Sequence, residues 1–175
     1  MIKNKSLRNF LILLAAVSGA VWFGSYITRF SAFYFLFEGP ELAMKALFQT
    51  EMLRGFLYGL IPSLSISIFA YLAFLLCFYL WVFTSGLSLK NEGWLFISLV
   101  LITLTAPFEL YLIWKYDYKL FAMLYYSQFN PENSVQFYIE RIKTFSFMPI
   151  VSLLDLVTVF GLFYYRPFVK KQENE

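Results

Sequence analysis

The sequence predicts an all-α integral membrane fold: four transmembrane helices in an up-down bundle, with two short interfacial amphipathic helices on the side opposite the termini. Three observations predict it. The 175 residues are 60% hydrophobic and 14% charged, where soluble domains average about 45–50% apolar and about 25% charged. From Gly55 to Phe83 the chain carries no charge, and a helix of that length crosses the ~30 Å hydrocarbon core of a bilayer with some tilt to spare. Three further apolar runs make up a single four-span domain over 1–175, with spans near 10–34, 56–82, 94–114 and 147–165.

Lys3, Lys5 and Arg8 precede the first apolar run. Ser18-Gly19-Ala20 has the small residues of a signal-peptidase site, but the apolar run continues through Val21, Trp22 and Phe23 to Phe37. An uncleaved first span is therefore expected. Ala16, Ala20 and Gly24 recur every fourth residue along it, as do Gly55, Gly59, Ser63 and Ser67 along the second span. Small residues at that spacing allow two helix backbones to approach closely, so these two stripes are candidate helix-packing faces.

Glu38-Gly39-Pro40 ends the first span, and Pro40 suits the first turn of a new helix. From there Glu41, Lys45 and Glu51 alternate with Leu42, Ala46, Leu47 and Leu53, which predicts a short amphipathic helix over 40–53 in the membrane interface. Pro62, one turn into the second span, bends it, as a hinge or as a static kink. A polar connector over 84–93 is flanked by Trp81 and Trp94, a residue that favours headgroup level. The third span ends at Trp114. After a connector opened by Lys115, Asp117 and Lys119, Asn130-Pro131-Glu132 reads as a capped helix start. Val135, Tyr138, Ile139 and Ile142 then share one face of a second interfacial helix over 131–144. The fourth span contains Asp155. The Lys170–Glu175 tail is charged and expected to fray.

Four spans place both termini on one side, with Lys3, Lys5, Arg8, Lys90, Arg166, Lys170 and Lys171. Lys45, Arg54, Lys115, Lys119, Arg141 and Lys143 lie on the other. The two sets nearly balance. The first span and the basic tail tip the positive-inside rule toward cytoplasmic termini in a plasma or inner membrane.

The absences narrow the chemistry. With no His, bis-His haem, the usual zinc and iron sites and His-activated nucleophiles are excluded. The single Cys, Cys77, cannot form the pair a thiol exchanger needs. Neither cofactor nor metal is expected, nor any catalytic set. The +3 charge sits at span ends, which argues against a nucleic-acid surface.

Charges inside apolar runs are the candidate site. A carboxylate near the bilayer centre costs about 2.5–3.5 kcal/mol and must find a partner, face water or protonate. Asp155 lies about 12 Å and Glu109 about 7 Å from the surface opposite the termini, by helical rise, so the two can approach one another. Arg29 falls in the same half and is the expected partner of Glu109. Such a polar cluster either binds a cation, a proton or a lipid headgroup, or fixes helix register as a salt bridge. The leading expectation is a non-catalytic subunit or assembly factor of a membrane complex, with the lipid bilayer and other membrane subunits, or a second copy, as partners. The alternatives are an ion- or proton-coupled transporter or channel component using Asp155 and Glu109, which needs an oligomer or a larger partner because four helices enclose little space, and a lipid-acting enzyme with paired carboxylates.

Overall fold

The structure is a computed structural model that describes residues 5–39, 41–48, 50–126 and 130–169. About 82% of the described residues are helical. Four helical segments are long and apolar enough to cross a membrane: Lys5–Leu36, Glu51–Ser85, Gly93–Tyr125 and Met148–Tyr165.

The first segment is one unbroken helix, α1 (Lys5–Leu36). Its buried face runs Ala15, Ser18, Trp22, Ser25 and Arg29, a spacing that alternates three and four. The 3.5-residue period keeps a seam facing one partner along the whole helix, as in a coiled coil. The main partner is α3 (Ile61–Ser85), whose buried residues Leu64, Ser67, Tyr71, Phe78, Trp81 and Ser85 follow the same period. Arg8 ties the two helices near one end by donating to the Ser85 carbonyl at 2.8 Å. Gly19 is a point of close approach, since a Cβ there would lie 3.1 Å from the Phe74 ring.

This seam is not the every-fourth stripe. A step of four residues turns about 400°, so such a stripe drifts around a helix. Ala16 is half-buried, whereas Ala20 and Gly24 are exposed. Gly55 and Gly59 are exposed too, and a Cβ added at Gly24, Gly55 or Gly59 meets nothing within 4 Å. Of the two stripes, Ser63 and Ser67 meet α1: Ser63 Oγ donates to the Ser25 carbonyl at 3.3 Å, and Ser67 receives Arg29.

The segment after α1 corrects the expected interfacial helix over 40–53. Two short strands, β1 (Phe37–Glu38) and β2 (Ala43–Met44), pair antiparallel. Gly39 and Leu42 take positive φ, 68° and 59°, which turns the chain tightly and is incompatible with a helix through them. Glu41 and Lys45 therefore form no helical pair, and Lys45 Nζ donates to the Tyr34 carbonyl at 3.1 Å instead. Pro40 lies outside the described residues. A helix, α2, begins only at Thr50 and ends at Gly59. A single turn residue, Leu60, separates α2 from α3, and Pro62 sits in the first turn of α3, where its missing N–H costs no helical bond.

The third segment also departs from expectation. Past α4 (Gly93–Leu112) the helix does not stop at Trp114. It widens into a π turn, Ile113–Asp117, and continues as α5 (Tyr118–Tyr125). Helix α6 (Pro131–Lys143) matches the sequence: the Asn130 side chain accepts from the Asn133 N–H at 3.0 Å, with Pro131 in the first turn. Tyr138 is buried, with Val135, Ile139 and Ile142 packed on the same cluster as Leu57, Leu64 and Leu120. Helix α7 (Met148–Tyr165) packs on α4. Cys77 is free and buried in the core.

Trp81 and Trp94 are buried. Their rings pack on each other and on Phe163, with centroids 4.9–6.4 Å apart. The segment beyond α7 closes this end, where the Gly93 N–H donates to the Phe168 carbonyl at 3.2 Å and Val169 bridges Glu92. A Cβ at Gly93 would lie 2.8 Å from the Phe168 Cβ and 3.2 Å from its carbonyl oxygen. Gly93→Ala is thus expected to cost about 1–3 kcal/mol through overpacking, measured by thermal unfolding in mild detergent, whereas Gly161→Ala, inside α7 with nothing within 4 Å, raises the transition slightly, because Ala favours a helix interior over Gly by about 0.5–1 kcal/mol.

Candidate functional site

Four charged side chains from three parts of the chain, α1, the Gly93–Tyr125 segment and α6, converge in the interior. Arg29 of α1 is 6% exposed, while Glu109 of α4 and Asp117 of the π turn are each 1% exposed. Arg141 of α6 completes the set, its side chain 11% exposed. Asp117 is the centre. It accepts from Arg29 Nη1 at 2.7 Å through one oxygen and from Arg141 Nε at 2.6 Å through the other. Arg141 also reaches Glu109, Nη2 to Oε1 at 3.1 Å. Arg29 does not pair with Glu109; its second terminal nitrogen donates to Ser67 Oγ at 2.7 Å.

Local structure aims these groups. In a straight α-helix, eight residues overshoot two turns by about 80°, which would turn Asp117 away from Glu109. The π turn holds more residues per turn and absorbs much of that excess. One guanidinium then bridges both carboxylates. The Tyr26 ring lies beneath both arginines, with guanidinium carbons 5.5 Å and 5.2 Å from its centroid, a cation–π arrangement favoured where charges are desolvated. Tyr138 of α6 donates its hydroxyl to the Arg29 carbonyl at 2.6 Å.

The electrostatics of α6 follow from burial. Desolvation by itself would pull the Arg141 guanidinium down, but Asp117 and Glu109 outweigh it and hold its pKa well above the ordinary value. Arg141 is a permanent charge and transfers no proton. Burial pushes the Tyr138 phenol up to about 12, despite the opposing pull of the two arginines, so it stays a hydrogen-bond donor. This arrangement clamps helices together; its two charge pairs neutralise one another.

Asp155 is outside the clamp. It accepts from Thr105 Oγ1 at 2.8 Å, across the α4–α7 contact. Asp155, Thr105 and Glu109 nevertheless line one cavity of about 30 Å³, together with Trp22 and Tyr71. Three buried polar atoms of these residues find no partner among the described residues: Trp22 Nε1, Glu109 Oε2 and Asp155 Oδ1.

The structure thus places Arg29 and Glu109 in one network, without a direct pair, and Asp155 across a cavity from Glu109. Two members, Asp117 and Arg141, escape the search for charges in apolar runs, because each stands among other polar residues. For Asp117 a signal exists: Lys115 and Lys119 lie one turn apart on one face, and the residue midway between them points to the opposite face. No family model, curated protein or solved structure matches the chain.

Proposed function

We propose that this chain is a four-span, up-down integral membrane protein that acts as a non-catalytic subunit or assembly factor, presenting helix faces to other membrane helices or to a second copy of itself. The observation that carries this reading is an imbalance of packing. In α7 only 11% of the most apolar window is buried, against 28–33% in the other three spans. Its outer face, with Leu154, Val157 and Phe160, is exposed. The exposed Ala20–Gly24 face of α1 offers a second surface of small residues suited to close helix approach. The buried clamp supports the reading as well, because rigid spans present such faces without further ordering cost.

The same geometry supports cytoplasmic termini. Arg141 is committed to the interior, so it leaves the count of loop charges on the side opposite the termini. The remaining excess of Lys and Arg lies with Lys3, Lys5, Arg8, Lys90, Arg166, Lys170 and Lys171. The contacts Arg8–Ser85 and Gly93–Phe168 agree with both termini at one end.

The test is a photo-cross-linking residue at Val157 in native membranes. A discrete protein adduct is expected, either a second copy or another membrane protein. Gly161→Leu, one turn further on the same face, is expected to reduce it about tenfold, the effect of roughly 1.4 kcal/mol, at an unchanged level of chain in the membrane. Adducts to lipid alone overturn the reading.

A further inference from the structure

We infer that Glu109 and Asp155 jointly hold one exchangeable proton, through a water molecule seated on the Trp22 indole. This proton site goes beyond the assembly role above and does not depend on it.

The first ground is a charge balance. Arg29 and Arg141 bring two positive charges to this interior, whereas Asp117, Glu109 and Asp155 bring three negative ones. One positive charge is required for neutrality, and leaving a charge uncompensated in a desolvated interior costs several kcal/mol. The other titratable groups facing the pair are tyrosines: Tyr26 from α1 and Tyr71 from α3. Phenols ordinarily titrate near pH 10, so they supply no positive charge.

The second ground is geometry. Glu109 is 1% and Trp22 4% exposed, and each has a polar atom without a partner among the described residues, as does Asp155. All three line the same cavity of about 30 Å³, room for a water, which needs about 10–15 Å³. A water there accepts from the indole N–H and donates to the two carboxyl oxygens, the roughly three bonds usual for buried water. On proton uptake one carboxyl becomes an O–H donor to that water, and the water donates to the remaining carboxylate. No bond other than O–H forms or breaks.

The donor set favours a proton over a metal ion. The indole N–H turns a positive hydrogen toward the water, which opposes a bare cation. No group of three His, Cys, Asp or Glu ligands gathers among the described residues, and hard cations take six or more oxygens.

The test is infrared difference spectroscopy of the purified full chain in mild detergent, following the carbonyl stretch of a protonated carboxylic acid against pH. A band is expected at neutral pH and lost on raising the pH. Either Glu109→Gln or Asp155→Asn alone abolishes it, because removing either acid restores neutrality with every remaining acid ionised. If Asp155 were protonated by its own burial, Glu109→Gln would leave the band, which overturns a shared proton. The isosteric Thr105→Val, which preserves packing, removes a hydrogen bond that favours ionised Asp155 and shifts the midpoint to higher pH; an unmoved midpoint counts against the site. A pH-dependent change in indole fluorescence with the same midpoint, absent in Trp22→Phe, supports the bridging water. Loss of the band on adding NaCl or KCl at fixed pH would assign the site to a monovalent cation instead.

Discussion

Asp117→Asn lowers the stability of the folded chain by about 3–5 kcal/mol, the cost of leaving a buried charge without its counter-ion. Asp117 is the only carboxylate that Arg29 meets and one of two that Arg141 meets among the described residues. An amide in its place holds the shape but cannot balance two guanidinium groups. The measurement is detergent-induced or thermal unfolding followed by circular dichroism. Adding Arg29→Met should recover part of the loss, because it removes the stranded charge and leaves Arg141 with Glu109. A double variant whose loss equals the sum of the single losses would show that the clamp carries no coupling.

The second large effect is expected at Arg141. Arg141→Leu strands Glu109 and half of Asp117 and removes the charged tie between α6 and the long helices, leaving the Tyr138 hydroxyl bond to the Arg29 carbonyl. A loss of similar size, about 3–5 kcal/mol, is expected, with a local signature: backbone amides of 131–143 exchange far faster than those of α3 and α4. Arg141→Lys should not restore protection. A single ammonium lacks the planar fork that engages Asp117 through Nε and Glu109 through Nη2 at once. Protected amides in α6 of the Leu variant would mean that Tyr138 and its apolar neighbours hold this helix by themselves.

The four apolar segments were legible because their hydropathy depends on composition alone and needs no knowledge of neighbours. Arg29, Glu109 and Asp155 were legible as charges against an apolar background. Asp117 and Arg141 were hidden by the same criterion, since each has polar neighbours. What distinguishes them is direction, set for Asp117 by a π turn that no single residue announces. The stretch from Ile113 to Tyr125 does lack Gly and Pro, so nothing in it required the helix to stop at Trp114. At the other end of the chain, Gly39 was a better guide than Pro40: its positive φ turns the hairpin. The stripes of small residues misplaced the α1–α3 contact because a four-residue repeat drifts around the helix, whereas Ala15, Ser18, Trp22, Ser25 and Arg29 keep the 3.5-residue seam.

The clamp also sets a timetable for biogenesis. Arg29 and Asp117 are 88 positions apart, and at ~5–20 residues per second the ribosome takes about 4–18 s to make that much nascent chain. Throughout that interval the first helix carries an unneutralised guanidinium, and Arg141 emerges later still. Of the four apolar segments, α1 is thus the first to be made and among the last to be secured, since its buried charge waits for the third segment and for α6.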